Sequence, residues 1–254
     1  MTGRLATLIL EDRPLPGGPV DDVVLGPLVL ARGVDQAQEI VRIFRPEPTA
    51  AFSRRDSLRP GFARAADACR ELGFMPVIRP QGGQLAAYHR GSVVIDHVVR
   101  ASNPAAGLKG RFEHFARLHA DVLSAFGLDA RVGGLPGEYC PGEYSINVAG
   151  LTKIVGSAQR ITRDGWLFST IFQVTGSTSI REALATAYDG LGYELNLSTI
   201  GSAEDHRPGI TAAAVEQALI DVYSGTSGAV RDVLSVEILQ EIAAMNAKHG
   251  SGSV

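Results

Sequence analysis

The run Tyr144-Ser145-Ile146-Asn147-Val148-Ala149-Gly150-Leu151-Thr152-Lys153-Ile154-Val155-Gly156-Ser157-Ala158-Gln159-Arg160 decides how the chain is read. From Tyr144 to Val148 the residues alternate, with Ser145 and Asn147 on one face and Tyr144, Ile146 and Val148 on the other. That period of two marks a half-buried strand. Ala149 to Thr152 forms a turn around Gly150, and Lys153 to Arg160 is the next strand. The polar turn Arg163-Asp164-Gly165 leads into a third, Trp166 to Val174. Strands joined by tight turns pair antiparallel, so this segment predicts an antiparallel sheet.

Working outward, Met75 to Arg79 and the β-branched Val93 to Val99 read as two more strands with a Gly-Gly loop between them. Pro60 to Gly73 reads as a helix, because Phe62, Ala65, Ala66, Cys69 and Leu72 share one stripe and Gly73 suits its C-terminal cap. A second helix carries Phe112, Phe115, Leu118, Val122 and Phe126 and stops at Gly127. Ser179-Ile180-Arg181-Glu182 has the pattern of a capping box that opens a helix to about Tyr188, and two further helices are expected at about 211–223 and 228–247. Residues 4–10 and 23–30 read as short apolar segments around a Pro/Gly turn at 14–19, and Gly250 to Val254 as a frayed end. Runs of strands with interspersed helices predict an α+β fold, a mainly antiparallel sheet flanked by helices. No repeat or clean linker divides the 254 residues, so residues 1–254 are expected to form a single catalytic domain, with C-terminal helices from about 211.

Composition excludes several classes. Lys plus Arg number 24 and Asp plus Glu 27, a formal net charge of −3, and the arginines form no dense tract. Nucleic-acid binding rests on phosphate neutralisation, so no nucleic-acid partner is expected. No stretch approaches the ~20 apolar residues of a membrane span, and the N-terminal apolar run is too short for a signal peptide. Two cysteines, Cys69 and Cys140, cannot build a disulfide framework, and free thiols point to a reducing, cytoplasmic setting. The spacing of His114 and His119, five residues, is not that of a helical metal pair, and no metal site is expected.

Cys69 lies on a helix stripe and reads as a small buried hydrophobe. Cys140 sits in Gly137-Glu138-Tyr139-Cys140-Pro141-Gly142-Glu143-Tyr144, a Pro/Gly-rich loop just before a strand, where an accessible thiol beside a cation acts as a nucleophile. Lys153 opens the strand that pairs with the one after Cys140, which brings it near that loop; a solvated lysine at a strand end is the alternative. Gly156 within a strand marks a bulge or a close approach. Arg79-Pro80-Gln81-Gly82-Gly83 joins two strands and reads either as a plain turn or as a loop whose backbone approaches a ligand.

Three stretches together resemble the lipoate–protein ligase and octanoyltransferase superfamily, which is related to biotin–protein ligase. They are Ala51-Phe52-Ser53-Arg54-Arg55-Asp56 with the later Gly73 to Arg79, the glycine loop Arg79 to His89, and Lys153-Ile154-Val155-Gly156-Ser157-Ala158-Gln159-Arg160. The last is the most specific, and the resemblance covers about residues 45–200. Tyr139-Cys140-Pro141-Gly142-Glu143-Tyr144 looks like the cysteine-dependent octanoyl amidotransferases. The loop departs from the ligases at Pro80, Gln81 and Gln84, which argues against use of ATP.

The resemblance implies an acyltransferase that moves an octanoyl or lipoyl group through a Cys140 thioester onto a lysine of a lipoyl carrier domain, of the glycine-cleavage H protein or dehydrogenase E2 type. It implies Cys140 and Lys153 as catalytic residues, with Lys153 holding the acyl carbonyl oxygen. Arg79, Gly82, Gly83, Tyr88, His89, Gly156, Ser157 and Gln159 are implied as substrate-binding, with His89 a candidate base. An apolar tunnel is expected along residues 75–79 and 93–99. No cofactor is required on this reading. The alternatives are an ATP-dependent lipoate–protein ligase, which needs ATP and Mg, and a non-catalytic acyl- or ligand-binding protein of the same fold.

Overall fold

The structure, a computed structural model, describes residues 7–10, 15–32, 39–225, 230–232 and 236–249. Strand β1 (Thr7–Leu10) and helix α1 (Pro19–Arg32) precede β2 (Glu39–Phe44), β3 (Thr49–Ser53), the one-turn α2 (Arg54–Ser57) and α3 (Phe62–Glu71). Next come β4 (Met75–Arg79), β5 (Ala86–Tyr88), β6 (Ser92–Arg100), α4 (Leu108–Ala125), β7 (Ala130–Val132) and β8 (Ile146–Val148). The long hairpin β9 (Thr152–Thr162) and β10 (Gly165–Gln173) leads into α5 (Ser177–Leu191). The chain continues through α6 (Ala203–His206), α7 (Ala212–Ser224), β11 (Val230–Asp232) and α8 (Val236–His249).

Eight strands form one sheet in the order β11-β1-β2-β6-β10-β9-β8-β7, and β4-β3-β5 form a second. In the large sheet only the β11–β1 and β1–β2 pairs are parallel among the described residues; from β2 to β7 every pair is antiparallel. The mixed α+β architecture with a mainly antiparallel sheet is therefore the observed one. The central strands are buried almost without a break, because successive side chains point to opposite faces of the sheet and both faces are covered. Val93, Ile95, Phe168 and Phe172 pack against Phe115 and Leu123 of α4 and Leu219 of α7, whereas Val98 and Leu167 pack against Leu25 and Val29 of α1 and Ile242 of α8. Each such large side chain contributes about 1.5–3 kcal/mol on burial. The small sheet has its own core: Ala50 and Phe52 of β3 meet Ala66 and Cys69 of α3 and Leu184 and Tyr188 of α5.

Several expectations need correction. Residues 23–30 lie inside α1, where Leu25 and Val29 are buried four residues apart, the spacing of a helix turn. The capping box at Ser179 is absent: the helix begins at Ser177, after Gly176 in the left-handed region, and the Ser179 hydroxyl donates back to the Gly176 carbonyl. The helix expected at 228–247 is β11 followed by α8, because Val230–Asp232 extends the sheet beside β1. Residues 228 and 229, 4–6 and 250–254 lie outside the described residues. The strand expected from Tyr144 begins at Ile146, since the Ser145 hydroxyl is drawn to Glu138 instead. No helix of the described residues is long and apolar enough to cross a membrane.

Candidate active site

Cys140 lies on the loop between β7 and β8, where that loop crosses the seam between the two sheets. Its φ is 41°, one of two positive values among non-glycine residues described. Backbone strain of this kind persists only where surrounding contacts enforce it, and three sets of contacts do so here.

The first set holds the backbone of Cys140. Its N–H donates to the Tyr188 phenol at 2.7 Å, and that phenol donates to the Leu85 carbonyl at 3.0 Å. Burial pushes the Tyr188 phenol far above the usual tyrosine range, so it stays a neutral donor. The Cys140 carbonyl accepts from Lys153 Nζ at 2.8 Å. The second set meets the sulfur from β4 and the glycine loop. The Gln84 N–H points at Cys140 Sγ from 3.3 Å, and an Arg79 guanidinium nitrogen lies 3.5 Å away while also donating to the Gln84 carbonyl at 2.8 Å. Gly83 permits this approach: it has φ 103°, and a Cβ there would come within 2.7 Å of Cys140 Sγ and 2.9 Å of the guanidinium. The third set lies beneath the loop. Lys153 is 1% exposed, and its ammonium donates to Glu138 Oε1 at 3.0 Å and to the carbonyls of Tyr139 and Cys140. Gly156 leaves room for it, as a Cβ there would lie 3.1 Å from Lys153 Cε.

A groove of about 530 Å³ opens beside the thiol. Its walls are Leu108, Lys109 and Phe112 of α4, residues 140–145, Gly82 and Gly83, and Ser157 to Gln159 of β9. The strands at 75–79 and 93–99, expected to line a tunnel, do not border it. Arg79, Val94 and Asp96 of these strands border a separate slot of about 30 Å³ with Gln81, Tyr88 and Ser169, room for about one water, and His97 borders another cavity, of about 550 Å³, with Phe115, Leu118 and Trp166.

The structure thus brings Cys140, Arg79, Gly82, Gly83, Lys153, Gly156, Ser157 and Gln159 to one place. Lys153, however, meets the Glu138 carboxylate and the backbone carbonyls of Tyr139 and Cys140 rather than standing free in the groove; it is Arg79 that places positive charge at the sulfur. Ser157 shares a hydrogen bond with Thr170 at 3.0 Å, and Gln159 accepts from Arg111 at 2.5 Å. Tyr88 lines the small slot, and burial pushes its phenol upward. His89 lies elsewhere: its Nδ1 accepts from the Gly91 N–H at 2.8 Å and its Nε2 faces the Gly176 carbonyl at 3.1 Å, so both ring nitrogens brace backbone. Cys69 is buried in the α3 core, and burial pushes its thiol up to about 11. Among the described residues no group of three His, Cys, Asp or Glu is placed to hold a metal ion.

Sequence reasoning missed Glu138, Gln84, Tyr188 and Phe112. Gln84 acts through its backbone N–H, which no side-chain pattern reveals. Tyr188 reaches the loop from a helix 48 residues away. Glu138 carried a readable signal, a carboxylate two residues before the cysteine in a chain that also brings a lysine to the same loop.

The two-sheet α+β fold that carries this loop has known counterparts. Residues 28–224 match the family model of the lipoyl protein ligase A/B catalytic domain, and the chain belongs to that family. Among curated relatives, an octanoyl-[GcvH]:protein N-octanoyltransferase of Geobacillus kaustophilus is 27% identical over 165 residues, 65% of this chain and 58% of that protein. The chain spans only about half the length of the curated relatives it matches. Solved structures share the fold. A T. acidophilum protein with bound lipoic acid has a TM-score of 0.72 at 18% identity over 96% of this chain and 95% of that one. A lipoate-protein ligase A bound with ATP has a TM-score of 0.70 at 18% identity, covering 96% and 94%.

Proposed function

We propose that this chain is an acyltransferase that takes an octanoyl or lipoyl group from an acylated carrier, holds it as a thioester on Cys140, and passes it to a lysine of a lipoyl carrier domain. The observation that carries this reading is the Cys140 sulfur at the edge of a groove of about 530 Å³, with the Gln84 N–H and the Arg79 guanidinium aimed at it. Family membership supports the chemistry, and relatives named octanoyl-[GcvH]:protein N-octanoyltransferases support a carrier of the GcvH or E2 lipoyl-domain type as donor and acceptor. A reducing, cytoplasmic setting keeps the thiol free.

The two donors stabilise negative charge on sulfur, which is the attacking form of cysteine. Sulfur adds to the donor's acyl carbonyl, the bond to the donor group breaks, and that group leaves with a proton. The neutral amine of the acceptor lysine then adds to the thioester carbonyl, the C–S bond breaks, and the amine loses its extra proton as the thiolate returns. Arg79, held buried beside the reacting carbon, stabilises the charge that develops at both additions. Gly82, Ser157 and Gln159 form the wall along which the acyl thioester approaches. Lys153 acts from below, through the backbone that carries the thiol. The reading needs no ATP and no metal.

Intact-mass measurement after incubation with an octanoylated carrier tests the proposal. A gain of about 126 Da, one octanoyl group replacing a hydrogen, is expected on the wild-type chain and not on Cys140→Ala. Acylation that survives Cys140→Ala overturns the nucleophile. Pyrophosphate release on adding ATP and lipoate, with Cys140→Ser still active, identifies the ATP-dependent ligase instead.

A further inference from the structure

We infer that Glu138 is a positioning residue for Cys140, acting through Lys153 to hold the thiol in its reactive conformation. The Glu138 carboxylate, 2% exposed, accepts four hydrogen bonds. Oε2 takes the Leu135 N–H at 2.9 Å, and Oε1 takes the Gly142 N–H at 3.0 Å, the Ser145 hydroxyl at 2.6 Å and Lys153 Nζ at 3.0 Å. Leu135 lies before Cys140 and Gly142 and Ser145 after it, so one side chain ties both limbs of the loop together. The ammonium it holds uses its other two N–H groups on the Tyr139 and Cys140 carbonyls. Those carbonyls are drawn inward, toward β9. With its own N–H fixed on Tyr188, Cys140 is left at φ 41° with its sulfur turned out to Gln84 and Arg79. Proline at 141 favours extended backbone at Cys140, so these contacts hold φ 41° against that preference. The ionisable groups that face the cysteine are Arg79 from β4, Tyr188 from α5, Lys153 from β9, and Tyr139 and Glu138 on its own loop.

This inference deepens the proposed function, because the thiol it positions is the proposed nucleophile, but its test needs no acyl donor. The full-length chain is alkylated with iodoacetamide between pH 5 and pH 10 and followed by mass spectrometry, with the unfolding temperature recorded in parallel. Cys69 is buried and stays unlabelled, so the signal reports Cys140. Glu138→Gln keeps the side chain's shape but loses its charge and the Leu135 bond. It is expected to slow alkylation at pH 7 about tenfold, the equivalent of one hydrogen bond to a charged group, and to move the pH profile upward. Ser145→Ala removes one anchor of the carboxylate and changes no charge; about threefold in the same direction is expected.

A profile that moves to lower pH in Glu138→Gln overturns the inference, since an uncompensated Lys153 would then be acting on the sulfur through space. A lowered unfolding temperature with an unmoved profile also overturns it, since the carboxylate would then only be stabilising the fold. If Glu138→Gln does not fold, Ser145→Ala decides by the same readings. Failure to form the octanoyl adduct in the wild type defeats the proposed function and leaves these alkylation results standing.

Discussion

The two adjacent glycines of the β4–β5 loop do different work, although they look alike in the sequence. Gly82 has open space where a Cβ would stand, whereas a Cβ on Gly83 would collide with the Cys140 sulfur and the Arg79 guanidinium. Gly83→Ala is therefore expected to push the loop off the thiol and to slow Cys140 alkylation about tenfold, while Gly82→Ala leaves the alkylation rate within about twofold. Equal rates for the two variants would show that the loop does not bear on the sulfur. The same distinction applies to the lysine. Its arrival at the Cys140 loop was legible from the hairpin spacing, but its partners were not. A register shift between Ile146 and Asn147 sets Asn147 opposite Lys153 and Ile146 opposite Val155, and such a bulge re-aims a side chain in a way that alternation alone does not forecast.

At the level of elements, β9 and β10 were readable because a tight polar turn between two long strands fixes their pairing, and α3 was readable from its stripe of Ala65, Ala66 and Cys69. The wall of the groove was not readable. It needs α4 from one part of the chain, the glycine loop from another and β9 from a third, and their meeting is a property of topology rather than of local pattern. The start of α4 was also missed, since Leu108 to Arg111 includes a glycine and shows no stripe of its own, yet Leu108 and Lys109 border the groove. Ala158 of β9 borders it too, with Phe112 in the facing wall. Ala158→Trp is expected to fill the space and lower the rate of octanoyl adduct formation at least about tenfold, with iodoacetamide alkylation changed by less than about twofold, because the small reagent needs no groove. Octanoylation unaffected by this tryptophan would mean that the acyl group approaches Cys140 from another side.

Across the whole molecule, the loop bearing Cys140 fastens two sheets together: Lys153 belongs to the large one, Arg79 to the small one, and Tyr188 to the helix packed on the small one. A second link runs from the glycine loop, where Gln81 donates to the Ser169 hydroxyl at 2.5 Å and that hydroxyl donates to Asp96 in the middle of β6. Burial raises the Asp96 carboxyl from the ordinary 3.8 to about 6, against the opposing bond from Ser169. A carboxyl that holds its proton more tightly folded than unfolded stabilises the fold while protonated. Its contribution is complete below about pH 4 and falls away as pH rises to about 6, a loss of about 2–3 kcal/mol. Urea unfolding should show this decline in the wild type and a flatter course over the same range in Asp96→Asn. Identical slopes in the two proteins would place the titration elsewhere.

A catalyst that loads lysines runs the hazard of loading its own. Lys153, beneath the Cys140 loop, has its nitrogen engaged three times over, by a carboxylate and two amide oxygens. On the proposed chemistry that amine is withheld from the cargo, so the residue that braces the thiol does not compete with a visitor for what the thiol carries.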